Sequence, residues 1–159
     1  KENPSNFELK ENIIKVNFIK VSRKAPKVER LKTLYKSEEE KDKKLLEDYC
    51  MQFAENYFLD DQSWLLFNDL VKEIPIKTYD QEHFLQNNRY IELQDNDYFY
   101  FVNIKGFKIK EALSPLSFEK ENIKNIIINK RKVNLIEQMK IDLFNEAKRN
   151  KDFEILLNE

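Results

Sequence analysis

Tyr98-Phe99-Tyr100-Phe101-Val102 is aromatic or β-branched at every position, and the segment it opens stays strand-like as far as Lys108. Just before it, Asp95-Asn96-Asp97 supplies turn-forming side chains, and before that Arg89 to Leu93 reads as a second strand. The pair predicts an antiparallel hairpin. Side chains alternate along a strand, so Tyr98, Phe99, Tyr100 and Phe101 cannot all point into one core. One pair is expected to be exposed, or covered by something outside the domain, and an exposed aromatic patch is a candidate for binding other chains.

Working outward, Ile13 to Val21 is the other strand. Ile14, Val16, Phe18 and, less cleanly, Val21 alternate with Lys15, Asn17 and Lys20, the last expected to be exposed. Ala25-Pro26 then opens a helix on which Val28, Leu31 and Leu34/Tyr35 lie one turn apart. Ser37-Glu38-Glu39-Glu40 reads as a capping box for a second helix over about 38–57, with Leu45, Leu46, Tyr49, Cys50, Phe53 and Tyr57 as its apolar stripe. Phe67 to Val71 starts a short helix that Pro75 ends, and Thr78 to Leu85 offers another. The order is β-α-α-α-α-β-β, with the first strand central. The class is α+β with an antiparallel sheet wrapped by helices.

Pro115 breaks the chain, and Ser117 is placed to cap a last helix. Ile123, Ile126/Ile127, Lys130, Val133, Ile136, Met139/Lys140, Leu143 and Ala147 trace one of its faces. A helix over 118–150 is roughly 48 Å long at 1.5 Å per residue, longer than a small domain is wide. Part of it is expected to project or to pack on something outside this chain. Residues 1–12 read as an entry segment, 13–113 as the domain, and 114–159 as the long helix and tail.

Composition removes several classes of function. The chain has 159 residues, of which 41% are hydrophobic and 13% aromatic, enough for one core and too apolar for disorder. Its net charge of −1 gives no global attraction to nucleic acid or anionic membrane. With Gly106 as the single glycine there is no phosphate-cradling loop, no dinucleotide fingerprint and no nucleophile elbow. Cys50, alone, makes neither a disulfide nor a cysteine-based metal site, and Tyr49, Met51 and Phe53 beside it favour a buried thiol. His83 has Asp80 and Glu82 near it in sequence but no converging ligand set, so it reads as a helix-surface histidine and no metal or other cofactor is implied. Asp60-Asp61 reads as a solvated loop pair. Residues 118 to 151 hold nine Lys/Arg against five Asp/Glu, with Lys130-Arg131-Lys132 in the middle. That excess suits the solvated face of an amphipathic helix better than a phosphate-binding surface.

Two stretches carry a resemblance. One is the strand Ile13–Val21, preceded by Asn6-Phe7-Glu8 and followed by two helices. The other is the end of the chain: Pro115-Leu116-Ser117-Phe118, then Ile123-Lys124-Asn125-Ile126-Ile127-Ile128-Asn129-Lys130-Arg131-Lys132, then Leu135-Ile136 and Phe153-Glu154. Together they resemble the C-terminal half of the SurA-like peptidyl-prolyl isomerases, in the divergent lipoprotein branch of Bacteroidetes. The resemblance implies a parvulin domain. It also implies a mostly helical N-terminal region upstream of Lys1 that packs with the long helix, export across the inner membrane, and a lipid anchor on that absent N-terminus as the only membrane attachment.

By the same resemblance, active members carry one histidine in the first strand and one in the last. Phe18 and Tyr100 stand at those places here. Where the family has a glycine-rich turn, Asp60-Asp61-Gln62-Ser63-Trp64 runs through without glycine, and Asp60 matches a polar residue held near the substrate carbonyl. The expected function is a periplasmic chaperone module with an inactive isomerase-like domain that binds unfolded or extended segments of exported proteins. Trp64, Phe67, Tyr98, Phe99, Tyr100 and Phe101 are the expected substrate-binding residues; Phe18, Asp60 and Tyr100 line the vestigial pocket. The rival readings are an active isomerase with altered pocket residues and a structural docking module in an envelope complex.

Overall fold

The computed structural model describes residues 7–151 and 153. Asn6 and Glu154 of the resemblance, with the first half of the entry segment, lie outside them. The chain divides into two compact units, Lys1–Phe118 and Glu119–Glu159.

The first unit is α+β. Strand β1 (Ile13–Ser22) leads through a 3-10 turn (Val28–Arg30) into α1 (Leu31–Leu34) and then α2 (Glu40–Phe53). Strand β2 (Ala54–Phe58) and the two-residue β3 (Leu65–Leu66) precede α3 (Phe67–Glu73) and α4 (Gln81–Asn87). The hairpin β4 (Tyr90–Gln94) and β5 (Tyr98–Lys108) closes the sheet, and α5 (Leu116–Asn150) begins at the end of this unit. All pairings are antiparallel, in the order β2-β1-β5-β4, with β3 also on β1. Strand β1 is central, as its apolar run predicts. It pairs with β5 along its whole length, Ile13 facing Lys108 and Ser22 facing Tyr98.

The sheet is covered on both faces, and this corrects the expectation of a bare aromatic pair. On one face Ile14, Val16, Phe18, Tyr100, Val102 and Ile104 pack under Phe67, Leu70, Ile74 and Leu85, from α3, α4 and the segment after α3. On the other, Ile19, Val21 and Phe101 pack under Val28, Leu31, Tyr35, Leu46 and Cys50 from the 3-10 turn through α2. A two-sided core needs apolar residues at both parities of its central strands. This is why Ile13 and Ile19 are buried beside the alternating set, and why Lys20 is half-buried. Tyr100 is 4% exposed and Phe101 2%, although they point to opposite faces.

Several local expectations are replaced. Helix α2 stops at Phe53, and Ala54–Phe58, expected to be helical as far as Tyr57, forms β2 with Tyr57 opposite Ile19 and Phe58 opposite Phe18. Leu45 and Phe53, assigned to the apolar stripe, are exposed. The capping box does not close: Glu39 is the N-cap without a side-chain bond, and the Ser37 hydroxyl accepts from the Glu39 N–H instead. Glu40 and Asp42 still favour the helix start through its dipole. The short α4 is capped by Asp80, whose carboxylate accepts the His83 backbone N–H at 3.0 Å. Helix α5 starts at Leu116, so Ser117 sits inside its first turn. Of the entry segment, the Leu9 N–H donates to the Ala112 carbonyl, the Leu9 carbonyl accepts the Glu111 N–H, and Glu8 bridges to Leu113. A chain with one glycine must place other residues in left-handed backbone. Lys27 (φ 58°), Glu111 (φ 69°) and Lys151 (φ 59°) do so, while Gly106 has ordinary φ and open space where a side chain would stand.

In the second unit, α5 has no buried residue. Ile126, Val133, Leu135, Ile136, Met139, Leu143 and Phe144 are all exposed. Lys151 ends the helix in the left-handed conformation, and the Phe153 ring meets Phe144 at 5.3 Å.

Replacing a large ring in a tight core removes its transfer energy and leaves a cavity. Phe101→Ala is expected to lower unfolding stability by about 3–5 kcal/mol. Leu135→Ala, at a side chain 61% exposed, is expected to change it by less than about 0.5 kcal/mol. Denaturant unfolding of both variants, followed by fluorescence, checks the pair.

Candidate functional site

Strand β1 carries Phe18 into the α3/α4 face of the sheet. Its ring stacks on Phe58 from β2, with centroids 6.2 Å apart and planes 17° apart. Tyr100 lies two residues along β5 from Val102, the register partner of Phe18, so both rings belong to the same face. The Tyr100 hydroxyl donates to Asp95 Oδ2 at 2.6 Å. Asp95 Oδ1 meanwhile accepts the backbone N–H groups of Asp97 (2.9 Å) and Tyr98 (2.8 Å), which folds the turn into β5. The three bonds hold the Asp95 carboxyl below its usual range, the Tyr100 hydroxyl contributing most. Burial first, then the hydrogen bond to Asp95 and its charge, push the Tyr100 phenol up to about 12. Tyr98 tilts against Tyr100 at 6.3 Å, and the Lys20 ammonium sits 4.6 Å over the Tyr98 ring.

Asp60 stands apart from these rings. It lies exposed after β2, where Oδ1 accepts from the N–H groups of Gln62 (2.8 Å) and Ser63 (3.3 Å), and Oδ2 accepts from the Ser63 hydroxyl (2.5 Å). These bonds, led by the Ser63 hydroxyl, lower its pKa and keep the carboxylate occupied by its own loop. An aspartate-built turn thus stands where the resemblance has glycines. Trp64, half-buried, lies under the Lys15 ammonium at 5.4 Å. Phe67 is fully buried at the start of α3, 5.9 Å from Phe84. Among the six expected substrate-binding residues, Phe67, Tyr100 and Phe101 are core, and Trp64, Tyr98 and Phe99 keep part of their surface in solvent.

The opposite face holds a polar group that sequence reasoning missed. Asn17 and Asn103 are register partners on β1 and β5. The Asn17 amide donates to Asp61 Oδ1 at 2.7 Å, and the 99%-buried Asn103 amide donates to the Tyr35 carbonyl at 2.9 Å. Both side-chain carbonyl oxygens are buried and accept no hydrogen bond from a described group. Lys43 lies 3.6 Å from Asp61, at the rim of a cavity of about 240 Å³ that Asn17, Leu46 and Leu59 also line. The signal in sequence was an asparagine inside each of the two most apolar strands. Their pairing depends on a register shift at Lys15/Val16 that no local pattern encodes.

Chemically, the Phe18–Tyr100 face offers rings and one tied-up phenol, with no group set to exchange protons near neutral pH. Burial pushes the Cys50 thiol up to about 12, which removes it as a nucleophile. His83 is exposed on α4. Among the described residues no three His, Cys, Asp or Glu side chains gather as a metal site, and no helix is long and apolar enough to cross a membrane.

Two measurements check these environments. Tyr100→Phe is expected to raise the Asp95 pKa toward its ordinary 3.8, read by carboxyl NMR titration. A lowered carboxyl pKa contributes stability that is present above the unfolded value and lost as pH falls through the folded one. The native protein is therefore expected to lose more stability than the variant when pH drops below about 4. Cys50 is expected to react with a thiol reagent at pH 8 at least about 100-fold more slowly than free cysteine, recovering the full rate on denaturation. Comparison with known proteins finds no protein-family model, no curated protein and no solved structure that matches this chain.

Proposed function

We propose that this chain is a parvulin-like module that holds extended segments of unfolded exported proteins without catalysing their prolyl isomerisation. The observation that carries the reading is the closure of the Phe18–Tyr100 face. Prolyl isomerisation has a barrier of about 18–20 kcal/mol, and an enzyme lowers it by seating the ring and stabilising the twisted amide. Here Phe18 is stacked on Phe58, the Tyr100 hydroxyl is committed to Asp95, and the Asp60 carboxylate is held in its own loop. Rings fill this face, and the polar groups expected to act there are already engaged.

The exposed apolar residues of α5 support a partner for that helix. In this reading the partner is the helical N-terminal region that the resemblance implies, and the protein works in the cell envelope on the periplasmic side, anchored through that region. The clients are polypeptides, and neither nucleic acid nor a cofactor takes part.

Two assays on the chain test the proposal. In NMR exchange with a short proline peptide, cis/trans exchange is expected to be no faster than in buffer. In light scattering, aggregation of a chemically unfolded β-rich protein is expected to be suppressed at about equimolar chain. Clear acceleration of exchange overturns the non-catalytic reading, and makes Phe18, Asp60 and Tyr100 the first positions to change. Unchanged aggregation overturns the holding role.

A further inference from the structure

Strand β4 ends the sheet, and the hydrogen-bond register fixes which of its backbone groups are free. The Ile104 N–H donates to the Arg89 carbonyl at 2.8 Å, and the Asp95 N–H to the Tyr98 carbonyl at 3.0 Å. Antiparallel ladders alternate with a period of two. Between those two bonds, Arg89, Ile91, Leu93 and Asp95 therefore turn their N–H and C=O groups toward β5, while Tyr90, Glu92 and Gln94 turn theirs away from it. None of these three residues has a backbone hydrogen bond to another described residue. Beside this edge lies a cavity of about 270 Å³ lined by Glu92, Leu93, Gln94, Phe99, Phe101 and Lys32. A row of free backbone donors and acceptors next to a hollow that Phe99 lines matches the requirements of one kind of ligand, an extended chain that adds as a further strand.

We propose that β4 is a strand-addition site, taking an extended, non-acidic peptide segment antiparallel to it, whose apolar side chains lie over the partly open Phe99 ring. The proposal rests on the peptide-holding reading above and gives it a location. In such an added strand, residues paired with Tyr90, Glu92 and Gln94 point their side chains to the same face as those three, which is the face of Phe99 and Phe101. The Glu92 carboxylate receives the Lys36 ammonium at 2.9 Å and the Tyr35 hydroxyl at 2.8 Å, and both keep it ionised. An acidic residue opposite it is therefore disfavoured. The same charge argues against a second copy as the occupant. Two β4 strands paired about a two-fold axis in full register set Glu92 against Glu92, and any shift that avoids this leaves an outward residue unpaired.

The test uses a labelled eight-residue peptide alternating valine and threonine, with a lysine at each end, and fluorescence anisotropy on the full chain. In the antiparallel arrangement its valines belong on the cavity side, so their N–H groups face β4. N-methylation of the valines is expected to weaken binding at least tenfold, and N-methylation of the threonines to leave it within about twofold. At saturating peptide the amides of Tyr90, Glu92 and Gln94 are expected to exchange with solvent at least tenfold more slowly. Gln94→Pro, which removes one outward N–H without touching the β4–β5 ladder, is expected to weaken binding at least tenfold. Equal binding of both methylated peptides, or unmoved edge amides, overturns the edge site while leaving the holding role standing. So does suppression of aggregation without any binding of the peptide. A dimer of the free chain that Gln94→Pro dissolves also overturns it, in favour of self-pairing. Edge binding without suppression of aggregation upholds the site and removes the holding role.

Discussion

Ile13–Ser22 and Tyr98–Lys108 lie side by side through ten paired positions, and the remaining elements of the first unit are arranged around that ladder. Each strand presents apolar side chains at both parities, which no one-sided sheet could accommodate. The chain answers by covering one face with α1 and α2 and the other with α3 and α4. Strands β2 and β3 share the far edge of β1, and β4 follows β5 through a turn that Asp95 folds with its own carboxylate. Disruption of the β1–β5 register would slip side chains between faces and break both cores together.

That constraint decides where binding can occur. A sheet sealed on both faces has little aromatic surface left to offer, and Phe67, Tyr100 and Phe101 are consumed as packing. What stays available is the margin of the sheet: the outer strand β4, the partly open rings of Tyr98 and Phe99, and the loop that carries Trp64. The two asparagines inside the α1/α2 face show that the interior is not purely apolar. Each gives its amide N–H to a fixed acceptor and leaves its carbonyl oxygen buried without a donor, an arrangement costly enough to mark the spot as unusual.

The elements legible in the sequence are those with a strong local signature. Tyr98 to Lys108 is a strand to the residue, the hairpin turn lies at Asp95–Asp97, and the long amphipathic run from Leu116 to Asn150 is one helix. Strand β2 was hidden because Phe53 and Tyr57 extend the helical spacing of Tyr49 and Cys50. Its conformation is set instead by pairing, with Tyr57 against Ile19 and Phe58 against Phe18. The two residues of β3 have no pattern at all and exist only through Ile13 and Ile14. The same blindness to partners explains the aromatic strand. Alternation correctly divided its rings between two faces, but helices brought from elsewhere in the chain, α1 and α2 on one side and α3 and α4 on the other, cover them both. In the candidate site, the sequence offers Phe18, Tyr100 and Asp60 as candidates, whereas the bonds that occupy Tyr100 and Asp60 cannot be read from it.

The pairing of β1 with β5 has a kinetic side. Some eighty residues separate the two central strands in sequence, and such distant partners make folding slow, because a long loop must close before any contact rewards it. During synthesis from the N-terminus, β1 emerges with both its faces apolar and both its edges open, and the edge that β5 takes stays open until Lys108 has been made. Helices α1 to α4 can shield its faces earlier, but the inner edge has no partner until the hairpin arrives. The strand that organises the finished domain is thus the segment of the nascent chain with the longest exposure to mispairing.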